Sequence, residues 1–251
     1  MKLLVYLARS ELQRRHAGSF GGAAWTLLSP IVLVGAMWFA LDTGLGMRTV
    51  VGPGFGIALV VGMIAWLPFA DSVSDATTSV VRNPHLVKKM VFPIALMPLA
   101  TVLAAFAVHI ILLCVLVAAL ALLGHLDLTK VWTLPLWMLQ STVLAAGIAL
   151  IASSLNVSIR DTQAIMSVLT AICFWLTPVV WSLKLIDPSY HWLIGLNPMA
   201  VVVEGYRMAL TGAPFPFDLA STGASMLIAL LFGAVGAWLF AALRPSFADS
   251  I

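Results

Sequence analysis

The chain has 251 residues, of which 62% are hydrophobic and 9% are charged, and its mean hydropathy is +1.07. A soluble domain would carry about a quarter charged residues, so this composition excludes an ordinary soluble protein and indicates an integral membrane protein. The formal net charge of +3 does not indicate nucleic-acid binding, because the basic residues cluster at the ends of apolar segments. Cys114 and Cys173 lie within apolar segments, which indicates neither a disulfide framework nor a cysteine-rich metal site.

Residues 1–20 are predicted to form an amphipathic helix in the plane of the membrane interface. Leucines alternate with basic residues at helical spacing: Leu3, Leu4, Leu7 and Leu12 with Lys2, Arg9, Arg14 and Arg15. A basic tail that only orients the first span shares this chemistry and remains an alternative.

Six apolar segments reach the roughly 20 residues that an α-helix needs to cross a bilayer core. They cover residues 25–45, 55–80, 94–123, 133–155, 162–182 and 219–243. The sequence therefore predicts an all-α integral membrane fold with six transmembrane helices in a single domain, residues 1–251.

Residues 183–217, between the fifth and sixth spans, do not read as a simple loop. Their apolar stretches 190–196 and 199–210 are too short to span a membrane and are separated by Asn197-Pro198. Stretches of this length predict short re-entrant or interfacial helices on the outer side of the membrane.

The basic residues predict the orientation. The segments expected inside hold nine: Lys2, Arg9, Arg14, Arg15, Arg82, Lys88, Lys89, Arg160 and Arg244. The segments expected outside hold four: Arg48, Lys130, Lys184 and Arg207. Because Lys and Arg near span ends are retained inside, both termini are predicted to be cytoplasmic.

A short polar stretch, residues 82–93, separates the second and third spans and reads RNPHLVKKMVFP. Pro84 and Pro93 prevent it from simply continuing the preceding helix. Its basic residues place it on the cytoplasmic side, where we expect it to dock a soluble partner. A topology signal without a partner is the alternative.

Five ionisable residues lie within or beside the apolar segments. Asp71 and Asp75 share a helix face near the cytoplasmic end of the second span, where they serve a function or pair with Arg82 or Lys88. His109 is expected to make a helix–helix hydrogen bond rather than to bind a ligand or relay protons. Glu204 and Arg207, three residues apart, are expected to pair.

No catalytic or nucleotide-binding motif is present. The sequence lacks G-x-x-x-x-G-K-[ST], H-E-x-x-H and G-x-S-x-G. We therefore predict no catalytic residue, no metal site and no cofactor in this chain, and rank a transport subunit above an integral membrane enzyme.

Four stretches together resemble one family: 11–19 leading to 25–30, 82–89 with Phe92-Pro93, 155–161, and 196–199 with 204–207. They are similar in order and spacing to the permease of ABC-2-type exporters of O-antigen polysaccharide and teichoic acid. The chain departs from the pattern in its short arm before Arg14 and in Ile94, which replaces the basic residue usual after Phe-Pro.

The resemblance implies a permease dimer of two identical chains in the plasma (inner) membrane, working with two copies of a separate ATPase that binds ATP and Mg²⁺. The cargo would be a glycan on an undecaprenyl diphosphate carrier. The ATPase would contact a coupling loop and a second turn: Arg82, Asn83, Pro84, His85, Leu86, Val87, Lys88, Lys89, then Asn156, Arg160 and Asp161.

Three further sets of residues follow from the same resemblance. Arg9, Arg14 and Arg15 would attract the diphosphate headgroup. The segment 183–217 would be an outer gate hairpin that includes Asn197, Pro198, Glu204 and Arg207. Aromatic side chains would line the sugar path: Trp25, Trp38, Trp66, Phe69, Phe174, Trp175 and Trp181.

Two other functions remain open at this stage. One keeps the fold but changes the cargo, to a drug or a small lipid. The other is an integral membrane enzyme that acts on polyprenyl-linked sugars.

Overall fold

A computed structural model of the chain describes residues 2–15, 22, 24–87 and 92–247. Every regular element in these ranges is helical, as the sequence predicted. The helices are α1 Lys2–Arg15, α2 Ala24–Trp38, α3 Met47–Val51, α4 Phe55–Thr77, α5 Pro84–Val87, α6 Leu96–Leu122, α7 Leu134–Ser158, α8 Thr162–Leu176, α9 His191–Gly195, α10 Pro198–Thr211 and α11 Leu219–Leu243.

Five helices of the described chain are long and apolar enough to cross a membrane. They are Ala24–Gly44, in which a π-helical turn extends α2, then Phe55–Thr77, Leu96–Leu122, Val131–Ser158 and Leu219–Ser246. Each lies within a few residues of a predicted span.

The predicted fifth span is shorter than expected. We predicted residues 162–182, but α8 ends at Leu176 and has 15 residues, about 22 Å against a hydrocarbon core of about 30 Å. The reason is Pro178, which lacks an N–H and forces the preceding Thr177 into an extended conformation (φ −95°, ψ 136°). Five of the six predicted spans are therefore long helices, and the remaining one, α8, is a short apolar helix.

Helix α4 lies at the centre of the bundle and packs against α2, α6, α7, α8 and α10. Helices α7 and α11 cross so closely that only glycine fits. A Cβ added at Gly147 would lie 2.4 Å from the backbone of Phe232, and one at Gly236 would lie 2.3 Å from the Gly147 carbonyl oxygen. Such close crossings stabilise helix pairs in membranes by van der Waals contact.

Helices α9 and α10 occupy the segment in which short helices were predicted. Helix α10 is buried along most of its length, between α4, α7 and α11. It is therefore an internal element of the bundle, and only the shorter turns beside it lie near the surface.

The bundle has two distinct ends. One, the loop end, gathers α1, the described residues of the central loop (82–87 and 92–93), the α7–α8 turn and the C-terminal turn Arg244–Ser246. The opposite, distal end gathers the chain before α4, the turn after α6 and the segment 181–216.

Candidate coupling surface and distal cavity

The described part of the central loop, residues 82–87 and 92–93, contains one short helix. Pro84 begins α5, and the backbone N–H groups of Leu86 and Val87 both donate to the carbonyl of Asn83, at 3.0 and 3.4 Å. Proline is suited to this position because the first helical residue needs no N–H partner. The helix leaves Pro84 and His85 exposed and buries Val87.

Two side-chain bonds tie the start of the loop to α4. The amide of Asn83 donates to the carbonyl of Ser79 at 2.8 Å, and the guanidinium of Arg82 donates to the backbone carbonyl of Asp75 at 2.7 Å. These bonds attach the start of the loop to this end of α4. Lys88 and Lys89, the other two predicted contacts, lie outside the described residues.

An apolar cluster holds the loop to the rest of the loop end. We call it the loop cluster; its buried members are Val80, Val87, Ile94, Met97, Leu150, Val157, Phe240 and Phe247. Phe247, which is fully buried, packs edge-to-face on Phe240 with ring centroids 5.3 Å apart. The cluster thus joins the central loop to α7, α11 and the C-terminal tail.

The second predicted contact, the α7–α8 turn, lies at the same end. Arg160 and Asp161 are exposed there, whereas Asn156 is buried. The Oδ1 atom of Asn156 has no hydrogen-bond partner among the described residues. The turn connects to the central loop through Val157 of the loop cluster.

Helix α1 is linked to the central loop by charge. Glu11 pairs with Arg14, and its carboxylate lies 3.8 Å from the guanidinium of Arg82. The hydrogen bond to Glu11 raises the pKa of Arg14. Of the three predicted headgroup residues, Arg9 and Arg14 are exposed, and the side chain of Arg15 is outside the described part.

A groove of about 390 Å³ separates α1 from the central loop and α6. Its lining mixes apolar and polar side chains, namely Leu3, Tyr6, Leu7, Ser10, Glu11, Arg14, Ser79, Asn83, His85, Leu86, Phe92, Met97, Ala100 and Thr101. The groove brings the two predicted loop-end elements, the interface helix and the coupling loop, to one site.

Asp71 and Asp75 face different surroundings despite sharing a helix face. Asp71 lines a cavity of about 250 Å³ between α2, α4 and α6, together with Trp25 and His109. Asp75 lies close enough to Arg14 for its charge to act on the guanidinium. The predicted partner Arg82 bonds to the backbone of Asp75.

The predicted sugar-path aromatics lie in three places. Four form a continuous row across α4 and α8, with centroid distances of 5.2, 5.6 and 5.5 Å along Phe69, Trp66, Phe174 and Trp175. Trp66 and Phe69 are buried within this chain, whereas Trp175 is 64% exposed. Trp25 and Trp38 lie apart on α2, and Trp181 lies at the distal end.

Asn197 and Pro198 start α10 and attach it to α8. The side chain of Asn197 accepts from the N–H of Met199 at 3.0 Å, as an N-cap, while its amide donates to the hydroxyl of Thr177 at 2.9 Å. Pro198 occupies the first position of the helix. Asn197 and Pro198, which were predicted to belong to the outer gate, thus begin α10, and Asn197 also holds the C-terminal end of α8.

Arg207 connects three parts of the distal end. Its guanidinium donates to Glu204 at 2.6 Å, to the carbonyl of Ala58 on α4 at 2.9 Å and to the carbonyl of Val179 at 2.9 Å. Both members of the predicted ion pair are buried. A Cβ at Gly62 would lie 2.9 Å from this guanidinium, so glycine permits the approach.

Arg207 also explains how the chain after α8 can be non-helical inside the bundle. Irregular backbone at membrane depth requires protein partners for its carbonyls. The carbonyl of Val179 receives one from Arg207. Sequence reasoning identified Arg207 and Glu204, but it could not foresee these contacts across 28 and 149 residues.

His109 makes the helix–helix hydrogen bond that was predicted. Its Nε2 lies 2.8 Å from the hydroxyl of Tyr206, both side chains are buried, and the bond joins α6 to α10. Sequence reasoning did not identify Tyr206 as the partner of His109. The available signal was its hydroxyl within an otherwise apolar helix, since a buried Tyr usually finds a polar partner.

Replacing Tyr206 by Phe should lower the free energy of unfolding by about 0.5–1.5 kcal/mol, because it removes one interhelical hydrogen bond. Thermal unfolding in detergent measures the change. Tyr190→Phe is the matched control, since Tyr190 is 60% exposed. Equal melting temperatures for the two variants would contradict the role of the His109–Tyr206 bond.

The distal end contains a cavity of about 490 Å³, which we call the distal cavity. The ion pair of Glu204 and Arg207 forms part of its wall, and Trp181 and Lys184 form another part. His125 and His191 also line it, and loop residues that follow α3 and α10 complete the walls.

Comparisons with known proteins agree with this architecture. The sequence model described as "ABC-2 type transporter" matches residues 2–211. The O-antigen export system permease protein RfbA of Klebsiella pneumoniae is 26% identical over 248 residues, covering 98% of this chain and 94% of that protein. The protein of the same name from Myxococcus xanthus is 27% identical over 254 residues, covering 99% and 95%.

Proposed function

The chain belongs to the ABC-2 type transporter family, and from this premise we propose that it is the membrane subunit of an ATP-driven exporter of O-antigen polysaccharide. A separate ATPase, with its own ATP and Mg²⁺, would supply the energy. The cargo would be a glycan on an undecaprenyl diphosphate carrier, moved out across the plasma membrane.

The observation that carries this proposal is the nearly full-length similarity to proteins named as O-antigen export permeases. It favours a polysaccharide over a drug or a small lipid. It also favours a permease over an enzyme, in agreement with the absence of catalytic and nucleotide-binding motifs from the sequence.

The loop end has the properties that an ATPase-docking surface needs. Exposed residues of α5 and of the α7–α8 turn lie at the same end, and the loop cluster connects the two elements. We propose that the loop end is cytoplasmic and that the central loop, with its second contact at Asn156, Arg160 and Asp161, sits on the ATPase.

Movement of the loop would reach the distal end through α4. Arg82 and Asn83 tie the loop to one end of α4, and Arg207 ties the other end to α10. Closure of the ATPase dimer would therefore shift α4 and α10 together. In this proposal α9 and α10 gate the outer side of the exporter.

The lipid carrier would approach at α1. Arg9 and Arg14 are both exposed on α1, and Arg14 lines the groove of about 390 Å³. Guanidinium groups bind phosphate by charge-assisted hydrogen bonds. The membrane surface concentrates such anionic headgroups near basic interfacial helices.

A second copy of the chain would complete the exporter. Helix α8 exposes an apolar face, with Ile165, Val168, Ile172 and Trp175 all at least half exposed, yet it is too short to cross a bilayer core by itself. In a homodimer the partner copy would cover this apolar face, so α8 would not have to cross the bilayer core in contact with lipid alone.

Charge reversal in the central loop tests the proposal. We expect Lys88→Glu with Lys89→Glu to reduce co-purification of the ATPase and ATP turnover in nanodiscs about tenfold, equivalent to about 1.4 kcal/mol of docking energy. Surface O-antigen in a strain that depends on this permease should fall in parallel.

Lys88→Glu and Lys89→Glu are also measured singly, and Lys130→Glu is the control for each single reversal, because Lys130 is exposed at the distal end. Unchanged ATPase docking in the double variant would show that the central loop is not the coupling element. A chain that recruits no ATPase and turns over a polyprenyl-linked sugar alone would replace the exporter proposal by the enzyme.

A further inference from the structure

The distal cavity has the composition of a carbohydrate site, and we propose that it binds one short saccharide segment of the exported glycan. Its volume of about 490 Å³ lies within the roughly 300–1,000 Å³ of small-molecule pockets. The inference rests on the proposed function for the identity of the saccharide. The arguments for the cavity itself come from its walls.

One wall is an ion pair that is rigidly held. Arg207 donates one hydrogen bond each from Nε, Nη1 and Nη2 within the chain, and a guanidinium has five N–H groups. Two donors therefore remain beside the Glu204 carboxylate, on residues that line the cavity. A fixed donor and acceptor side by side can bond to neighbouring hydroxyl groups of a sugar.

A sugar ring also has an apolar face, which binds to an aromatic surface. Trp181 provides that surface. Its indole N–H donates to the carbonyl of Trp175 at 3.0 Å, which fixes the ring. The side chain is partly exposed and lines the cavity. A Trp that is held by its N–H offers its ring to a ligand at little entropic cost.

Charge distinguishes a saccharide from the other candidate occupants. An acyl chain would leave the two remaining N–H groups of Arg207 without hydrogen-bond partners, which is costly. The other Lys, Arg, Asp or Glu side chain in the lining is Lys184, which is exposed. With Glu204 balancing Arg207, Lys184 gives the cavity a net positive charge. A saccharide with a carboxylate should therefore bind more tightly than a neutral one.

The direct test is saccharide binding to the permease–ATPase complex in nanodiscs, with galactose and galacturonic acid as probes and saturation-transfer NMR as the readout. We expect weak binding of both sugars, with galacturonic acid the tighter. Trp181→Ala should raise both dissociation constants about tenfold. Lys184→Ala should weaken galacturonic acid alone, about threefold.

The controls share the chemistry and the location but lie outside the cavity. Trp192, 62% exposed on α9, is the match for Trp181, and Lys130 is the match for Lys184. Trp192→Ala and Lys130→Ala should bind both sugars as the wild type does. If Trp181→Ala fails to fold, the galacturonic acid comparison between the two lysine variants still decides the question.

Two outcomes overturn the inference: no saturation transfer from the wild type to either sugar, or equal loss in the Trp181 and Trp192 variants. Either result leaves the proposed function intact if polysaccharide export and ATPase docking persist. Conversely, saccharide binding that follows these variants in a chain without ATPase docking would support the cavity and reject the exporter.

Discussion

Replacing Arg207 by Ala should prevent most of the protein from folding stably. The change leaves the Glu204 carboxylate buried without its partner and removes the donor to the carbonyls of Ala58 and Val179. Breaking a buried ion pair by removing one member costs about 3–5 kcal/mol, because the remaining charge is uncompensated. That loss is a large fraction of the stability of an ordinary domain, about 5–15 kcal/mol.

Companion variants separate charge from connectivity. Arg207→Lys retains the charge for Glu204 but cannot reach two carbonyls at once, so we expect an intermediate loss. Arg207→Met with Glu204→Gln removes both charges and should recover part of the stability of Arg207→Ala. Thermal unfolding monitored by size-exclusion chromatography in detergent ranks these variants.

The matched control is Arg48→Ala. Arg48 also pairs with a buried carboxylate, Asp42, but its own side chain is 56% exposed. Water can replace an exposed guanidinium, so the loss should be smaller than at Arg207. If Arg48→Ala and Arg207→Ala lower the melting temperature equally, the contacts of Arg207 to Ala58 and Val179 do not stabilise the distal end.

The long helices could be predicted from the sequence because their signal is local. A run of apolar residues of sufficient length forms a helix in a membrane whatever its neighbours are. The start of α10 has an equally local signal, since Asn197 is an N-cap residue and Pro198 is a proline at the first helical position. The end of α8 was misplaced because hydropathy continues past Pro178, whereas backbone geometry does not.

The contacts at each end of the bundle could not be predicted, because they join distant parts of the chain. Glu204 and Arg207 share a helix face, so their pairing was expected. The carbonyls that Arg207 also binds belong to two other segments, and no periodicity in the sequence relates them. The same holds for Phe247, which lies beyond the last predicted span, 219–243, and is a buried member of the loop cluster.

Phe247 should determine how firmly the central loop is held. Its side chain is fully buried against Phe240, in the cluster that contains Val80 and Val87. Truncating a buried Phe to Ala costs about 3–5 kcal/mol in a well-packed core. Because the loop cluster is separate from the main core, we expect the cost to appear as local opening of the loop end.

In Phe247→Ala, amide hydrogen exchange in the central loop should therefore accelerate about a hundredfold or more, since each 1.4 kcal/mol of opening energy is a factor of ten. Exchange in α10, at the distal end, should be unchanged. Phe232→Ala is the control, because Phe232 lies on the same helix as Phe240 and is 40% exposed. Equal exchange in the two variants would show that the C-terminal tail does not hold the loop.

If the expected acceleration is seen while the ATPase still docks, ATP turnover becomes the informative quantity. A loop that docks but is no longer packed against α7 and α11 should transmit less of the movement of the ATPase to the bundle.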